Sequence, residues 1–349
     1  MVAEQPLPTT ERLLSLVDQL AGQRVILLAD LVADRFLSGT PKRISREAPV
    51  LILSYEGEVL APGGGANAVA NVAALGGIPL TLGVVGDDAS GRELMAALRE
   101  HGAATEGVLV RSGFRTPTKT RILAGGRHAI KQQIVRYDIE DRLELTVEER
   151  EKLARQLRDW QGSARVAVLS DYGYGSAEPA LLPAVRSAIG SAGLILCDSR
   201  YRLADFSGLD AATPNEEEAE NLLGGPIGEH PKTLAESGKR ILERLRGRFL
   251  LVTRGSRGMA LFANGRLAEI PVHGTDQVAD VTGAGDTVMG TFALALAAGA
   301  TPFEAALLAN YAGGIVVMKM GTATLTRDEL SDAVRNDAGS SGNVQWASY

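Results

Sequence analysis

The chain has 349 residues, 45% of them apolar, a net charge of −6 and one cysteine. No apolar run approaches the ~20 residues of a membrane-crossing helix, and the start lacks a basic segment followed by an apolar one, so a soluble, cytoplasmic protein is expected. Basic and acidic residues are interspersed, which argues against nucleic acid; Cys197 alone supports no disulfide framework, and His101, His128, His230 and His273 lack metal-ligand spacing.

In chain order, β-rich apolar runs bounded by turn signals predict strands at 24–28, 80–85, 166–169, 194–197 and 249–252. Helices are predicted at 68–75, 91–101, 146–160, 179–190, 216–223, 233–245, 287–298 and 303–317. Strands alternating with helices imply right-handed βαβ units, a mainly parallel sheet and helices on both faces. Segments at about 35–62 and 116–138 break that rhythm: they are extended, partly alternating and free of helix. They predict a small β-lid over the carboxyl ends of the sheet strands, where ligands of such sheets bind. A single domain over 1–335 is expected, followed by a mobile polar tail at 336–349.

The segment with the most chemistry is Asp280-Val281-Thr282-Gly283-Ala284-Gly285-Asp286, followed at once by an apolar helical run. Small residues leave successive N–H groups bare at a helix N-terminus, which makes an anion site. Asp286 falls in the first turn, where the helix dipole favours an ionised carboxylate at neutral pH. Spacing alone also allows an N-capped turn without chemistry. A second cluster, Gly63-Gly64-Gly65-Ala66-Asn67, precedes another helical run, but it lacks the spacing and the preceding strand of a dinucleotide fingerprint.

These two motifs resemble the signatures of the PfkB or ribokinase family of sugar kinases. Ser170-Asp171-Tyr172, Thr213 to Glu218, and Leu251 to Gly258 fall between them in that family's order. The likeness extends to the family's heptose-7-phosphate kinases through Asp30-x-x-x-Asp34-Arg35, Arg43 to Val50 and Gln133 to Asp138, and covers residues 24–335. It implies a ribokinase-like α/β three-layer sandwich with a mainly parallel central sheet and a β-lid, ATP and Mg²⁺ as cofactors, and transfer of the γ-phosphate to a sugar hydroxyl. The leading substrate is heptose 7-phosphate, phosphorylated at O1. A kinase unit without the nucleotidyltransferase domain fused to some relatives is expected.

The resemblance also implies roles. Asp286 is the general base, and the amides of Gly283, Ala284, Gly285 and Asp286 form the anion hole. Asn215 and Glu218 match an N-x-x-E element that organises Mg²⁺ through water, although an acidic first helical turn is the plainer reading of the same residues. Thr253, Arg254, Gly255, Gly258 and Thr282 are expected at the nucleotide phosphates and Asn310 near the adenine. The 275–281 loop offers carbonyls to a monovalent cation such as K⁺. Asp30, Asp34, Gly64, Gly65, Asn67 and Asp171 are expected at the sugar, and Lys119, Arg121 and Arg136 on a substrate phosphate. Asp34 beside Arg35 is equally readable as an ion pair and Asp30 as a turn former.

Two departures bear on the substrate: Tyr174 and Arg200 stand where heptose-phosphate kinases usually carry lysine. The alternatives are a PfkB-family kinase for another sugar, sugar phosphate or nucleoside, and a non-catalytic sensor, which has no need of Asp286. Apolar residues Ile44, Val50, Leu51, Ile52 and Leu53 in the first lid segment predict a homodimer formed through the lids.

Overall fold

The computed structural model of the chain describes residues 7–126, 131–274, 279–337 and 343–349. In chain order the elements are α1 (Thr10–Gln19), β1 (Arg24–Ala29), β2 (Leu31–Ile44), β3 (Leu51–Gly64), α2 (Gly65–Ala74), β4 (Ile78–Gly86), α3 (Ala89–Glu100), β5 (Ala104–Arg111), β6 (Thr118–Ala124) and β7 (Gln132–Ile139). There follow α4 (Val147–Asp159), β8 (Val166–Asp171), α5 (Leu182–Ile189), β9 (Leu194–Ser199), β10 (Ala211–Ala212), α6 (Glu216–Leu223), α7 (Pro231–Leu245) and β11 (Phe249–Thr253). The chain closes with β12 (Met259–Ala263), β13 (Arg266–Ile270), α8 (Ala284–Ala297), α9 (Pro302–Val316), α10 (Arg327–Asn336) and β14 (Gln345–Ser348).

The main sheet runs β14-β13-β12-β11-β10-β9-β8-β1-β4-β5, parallel from β11 to β5 and antiparallel from β11 to β14. Its central strand shows why helices must cover both faces. Val25, Leu27 and Ala29 pack into the core shared with α1, α2, α3, α8, α9 and α10, while Ile26 and Leu28 pack with α4, α5, α6 and α7 on the opposite side. All five residues are fully buried, the two-sided pattern of a parallel strand. The strand order places the carboxyl ends of β1, β8, β9, β10 and β11 side by side, along one rim of the sheet.

Above that rim lies a second sheet, β3-β2-β6-β7, built from the two segments that lacked helical patterning. Cross-strand partners share a face, so Asp34, Lys119 and Asp138 form one row and Phe36, Arg121 and Arg136 the next. β3 runs directly into α2, and the junction requires Gly65. A side-chain carbon there would lie 2.5 Å from the Ala29 methyl and 2.9 Å from the Asp30 carbonyl oxygen. The absence of a Cβ lets the lid strand and the first sheet strand meet at one point.

The tail differs from its expectation. Residues 345–348 are an edge strand on β13, with Trp346 against Phe303 (ring centroids 4.9 Å apart) and Tyr349 against Phe262 (6.1 Å). Aromatic burial outweighs the polar, Gly/Ser-rich composition that precedes it. Trp346→Ala is therefore expected to cost about 1–3 kcal/mol and to lower the midpoint of thermal unfolding by several degrees, as read by calorimetry.

Candidate active site

Helix α8 begins without a side-chain cap. Gly283 occupies the capping position with φ 76°, ψ 5°, a left-handed conformation that glycine adopts freely. A Cβ at Gly283 would lie 2.4 Å from Asn67 Nδ2, which donates to the Gly283 carbonyl at 3.0 Å. Asn67 is itself oriented by Asn71, which donates to its Oδ1 at 3.1 Å. Upstream, Asp280 accepts from the amides of Thr282 (2.9 Å) and Gly321 (3.0 Å), tying the turn to the segment after α9. The turn is thus held from both sides; the Ala284 amide donates to the Val281 carbonyl at 3.2 Å, so of the four expected anion-hole amides those of Gly283, Gly285 and Asp286 are left at the rim.

Asp286 lies in the first turn of α8 and is 4% exposed. Burial raises its pKa to about 7, against the lowering effects of a hydrogen bond from Tyr172, the charge of Lys119 and the Asn67 amide. This corrects the expectation of a fully ionised carboxylate: desolvation outweighs the helix N-terminus. Tyr172 Oη donates to Asp286 Oδ1 at 2.6 Å. Lys119 from β6 sits 5.1 Å above the Tyr172 ring, its own pKa lowered by burial.

A cavity of about 650 Å³ opens beside Asp286, lined by Tyr172, Asp198, Arg200, Asn215, Glu218, Thr253, Gly283 and Gly285 among others. Burial and the charges of Glu218, Asp286 and Asp171 push the Asp198 carboxyl far above its ordinary range, and burial raises Glu218 as well. A second, mainly apolar chamber of about 230 Å³ adjoins it, with Gly258, Met259, Val272, Val288, Asn310 and Gly313 in its walls. Thr253, Val281 and Gly285 line both, so the two spaces lie side by side.

Several expected residues lie elsewhere or are already engaged. Asp30 is 1% exposed, and its oxygens accept from the backbone amides of Tyr172 (2.9 Å), Tyr174 (2.9 Å) and Ser176 (2.7 Å); it organises the loop after β8 instead of meeting a sugar. Asp34 pairs with Arg121 at 2.6 Å in a buried contact at the lid base, and the guanidinium lies over Phe36, so neither side chain is free as expected. Arg136 is taken by Asp138 two residues on, at 2.5 Å. Asp171 reaches the cleft wall, but its carboxylate is held by Ser199 Oγ (2.6 Å) and Arg202 (2.5 Å). Arg254 is buried between Glu216 (2.9 Å) and Glu269 (2.8 Å), bracing β11 instead of reaching for phosphate. For the buried Asp30, Asp34, Arg121, Asp171 and Arg254 a nearby opposite charge or amide satisfies a group that burial would otherwise penalise, whereas Arg136 is an exposed pair.

Asn215 and Glu218 form a reciprocal capping box at 2.9 Å in each direction, so the plain helix-start role is realised while Glu218 still faces the cavity. Gly64 and Gly65 are buried at the β3–α2 junction, Thr282 supports the Asp280 turn, and Asn310 donates to the Pro271 carbonyl at 2.8 Å in the apolar chamber. Gly255 and Gly258 line that chamber. Residues 275–278 of the expected cation loop lie outside the described residues. Among the residues that sequence reasoning missed are Tyr172 and Asp198. Tyr172 was visible in the Ser170-Asp171-Tyr172 motif without a role attached to it, and both residues fall at or just past the carboxyl end of a parallel strand.

A carboxylate poised near neutrality, beside bare helix amides and at the junction of a polar cleft with an apolar chamber, suits transfer of a phosphoryl group from a nucleotide. The chain is in this respect an α/β kinase. Residues 35–329 match the pfkB family carbohydrate kinases, and the chain belongs to that family. The bifunctional protein HldE of Mesorhizobium japonicum is 36% identical over 336 residues, covering 96% of this chain and 66% of that protein. HldE of Caulobacter sp. is 40% identical over 318 residues, covering 89% and 62% respectively. The chain thus spans just under two thirds of the length of these relatives. The fold is shared with phosphofructokinase-2 from Escherichia coli in complex with substrates and products (TM-score 0.71, 19% identity, 90% of this chain and 98% of that one). It is shared equally with Arabidopsis thaliana ribokinase complexed with ribose and ATP (TM-score 0.66, 21% identity, 90% and 99%).

Gly283→Ala tests the turn. The new methyl group would collide with Asn67 and occupy a left-handed conformation, so kcat is expected to fall by ~10²-fold or more, the scale of losing one anion-hole donor, while circular dichroism stays native.

Proposed function

We propose that this family member transfers the γ-phosphate of ATP to a hydroxyl of a sugar phosphate, with heptose 7-phosphate as the favoured substrate and O1 as the acceptor. The observation that carries the reading is Asp286: a buried carboxylate with a pKa of about 7 at the mouth of an uncapped helix. A base effective at neutral pH has such a pKa. Asp286 takes the proton of the sugar hydroxyl as that oxygen attacks the γ-phosphorus; the bond from phosphorus to the bridging oxygen breaks and ADP departs. The amides of Gly283, Gly285 and Asp286 face the charge gathering on the transferred group, and that of Ala284 joins them only by giving up its bond to the Val281 carbonyl.

The apolar chamber suits an adenine ring, with Asn310 in its wall, and the passage at Thr253 and Gly285 leads the phosphates toward Asp286. Asp198 and Glu218 face one cavity, and burial followed by the charge of Glu218 pushes the Asp198 carboxyl up, a field that a divalent cation would relieve. Mg²⁺ organised by Glu218 and Asn215, mostly through water, fits that donor set and would supply charge neutralisation at the phosphates. A monovalent cation bound by the loop before Asp286 belongs to the same proposal.

The heptose assignment rests on the HldE relatives and on the cations kept near the cleft. Arg200 lines it and Lys119 lies over the ring of Tyr172, which also lines it, whereas Tyr174 is 6% exposed, lies 3.4 Å from Glu140 and offers nothing to a phosphate. Arg121 and Arg136, already engaged by Asp34 and Asp138, favour another sugar or sugar phosphate as the second reading. With ADP release as the readout, kcat/KM for D-glycero-D-manno-heptose 7-phosphate is expected to exceed that for the unphosphorylated heptose and for six-carbon phosphates by ~10-fold or more, about 1.4 kcal/mol. A preference for any of those analogues overturns the heptose assignment, and no ADP release with any sugar overturns the kinase reading.

A homodimer through the lids belongs to the same reading. Ile44 (61% exposed), Val59 (65%) and Tyr55 (64%) leave an apolar surface on the lid, whose β3 and β7 are open edges. Light scattering at micromolar concentration is expected to give twice the chain mass, and Val59→Lys is expected to shift it toward the monomer.

A further inference from the structure

Tyr172 is the one neighbour of Asp286 whose position is fixed by three separate parts of the fold. Its backbone amide is held, with those of Tyr174 and Ser176, by the buried Asp30 carboxylate at the end of β1. Its ring packs against the β3–α2 junction, where a Cβ on Gly64 would come within 3.3 Å of Cε2. Lys119 from the lid covers the ring at 5.1 Å, a cation–π contact. A phenylalanine would satisfy all three of these contacts. The hydroxyl is needed only for its 2.6 Å bond to Asp286 Oδ1.

From this geometry we infer that Tyr172 is a positioning residue for phosphoryl transfer, whose hydroxyl fixes the orientation of the Asp286 carboxylate and keeps it in its proton-accepting form. The inference rests on the reading of Asp286 as the base. Burial and the neighbouring carboxylates push the Tyr172 phenol far above its ordinary range, so throughout the working pH range it keeps the proton that it donates to Asp286. A donated hydrogen bond stabilises the charged carboxylate. Opposing effects act on the same group: Lys119 from β6 and Asn67 from α2 also favour the carboxylate, while Asp34 from β2 and burial disfavour it. Asp198 from β9 and Glu218 from α6 bear on Tyr172 from the cavity side.

The sign follows from these effects. Asp286 must be deprotonated to act, so kcat/KM falls as pH drops through its pKa; loss of the Tyr172 donor raises that pKa and moves the acid limb to higher pH. The test is the pH profile of kcat/KM from pH 5.5 to 9.5 for the full chain and for Tyr172→Phe, Lys119→Met and Asp286→Asn, with thermal midpoints measured alongside. Tyr172→Phe is expected to move the acid limb up by about one pH unit, giving a ~10-fold loss at pH 6 that shrinks to within ~3-fold at pH 9, with KM for the sugar little changed. Lys119→Met moves the limb in the same direction, and Asp286→Asn is inactive throughout. A loss in Tyr172→Phe that is the same at every pH, or no loss, overturns the inference while leaving Asp286 as the base. Activity of Asp286→Asn within a few-fold of the parent overturns the base assignment, and the inference with it.

Discussion

The site depends on one packing constraint: an apolar helix buried along its whole length has to end at the rim of the sheet. Every residue of α8 from Asp286 to Leu296 is buried, in the core shared with α2 and α9. Its first turn therefore carries a carboxylate into a place where water cannot solvate it, while the amides of the same turn stay uncapped. Burying a charge without a partner is costly, and here the cost appears as a pKa near neutrality instead of as instability. The property that makes Asp286 fit for general-base work is thus a by-product of helix packing. Asn67, Tyr172 and Lys119 moderate it from three other elements.

Asp30 plays the complementary part from the other side of the cleft. A carboxylate at the end of the central strand gathers three amides of the loop after β8 and so fixes where Tyr172 stands. Its own burial raises its pKa against those three bonds. The glycines at the β3–α2 junction allow lid, strand and loop to converge within contact distance of it. Lid and base are consequently joined by a short path, Lys119 to Tyr172 to Asp286.

Much of this was legible from residue order. Alternating apolar runs and helical stretches predicted the parallel sheet, and the absence of helical pattern in two segments predicted the lid. Asp286, the 283–285 turn, Asn67 and the Asn215–Glu218 pair were readable because their chemistry is local: spacing of a few residues puts amides, cap and carboxylate together whatever the rest of the chain does. The β12–β13 hairpin had a local signal as well, Asn264-Gly265 with both residues at positive φ, which strand alternation alone did not bring out.

The charged residues of the lid and rim were not legible in the same way. Arg121, Arg254, Asp30 and Asp171 are each the right type to hold a ligand, and each is engaged by a partner that folding brings near; for Arg121 the separation in sequence is 87 residues and for Asp30 more than 140, whereas Arg136 pairs locally with Asp138 two residues on. Sequence by itself determined the family, the sheet and the helix-borne carboxylate of Asp286, because these follow from periodicity and short-range spacing. Tertiary structure decided which charges remain available, that Tyr172 is bonded to Asp286 and that Asp286 titrates near neutrality, because desolvation and charge pairing depend on distances across the fold.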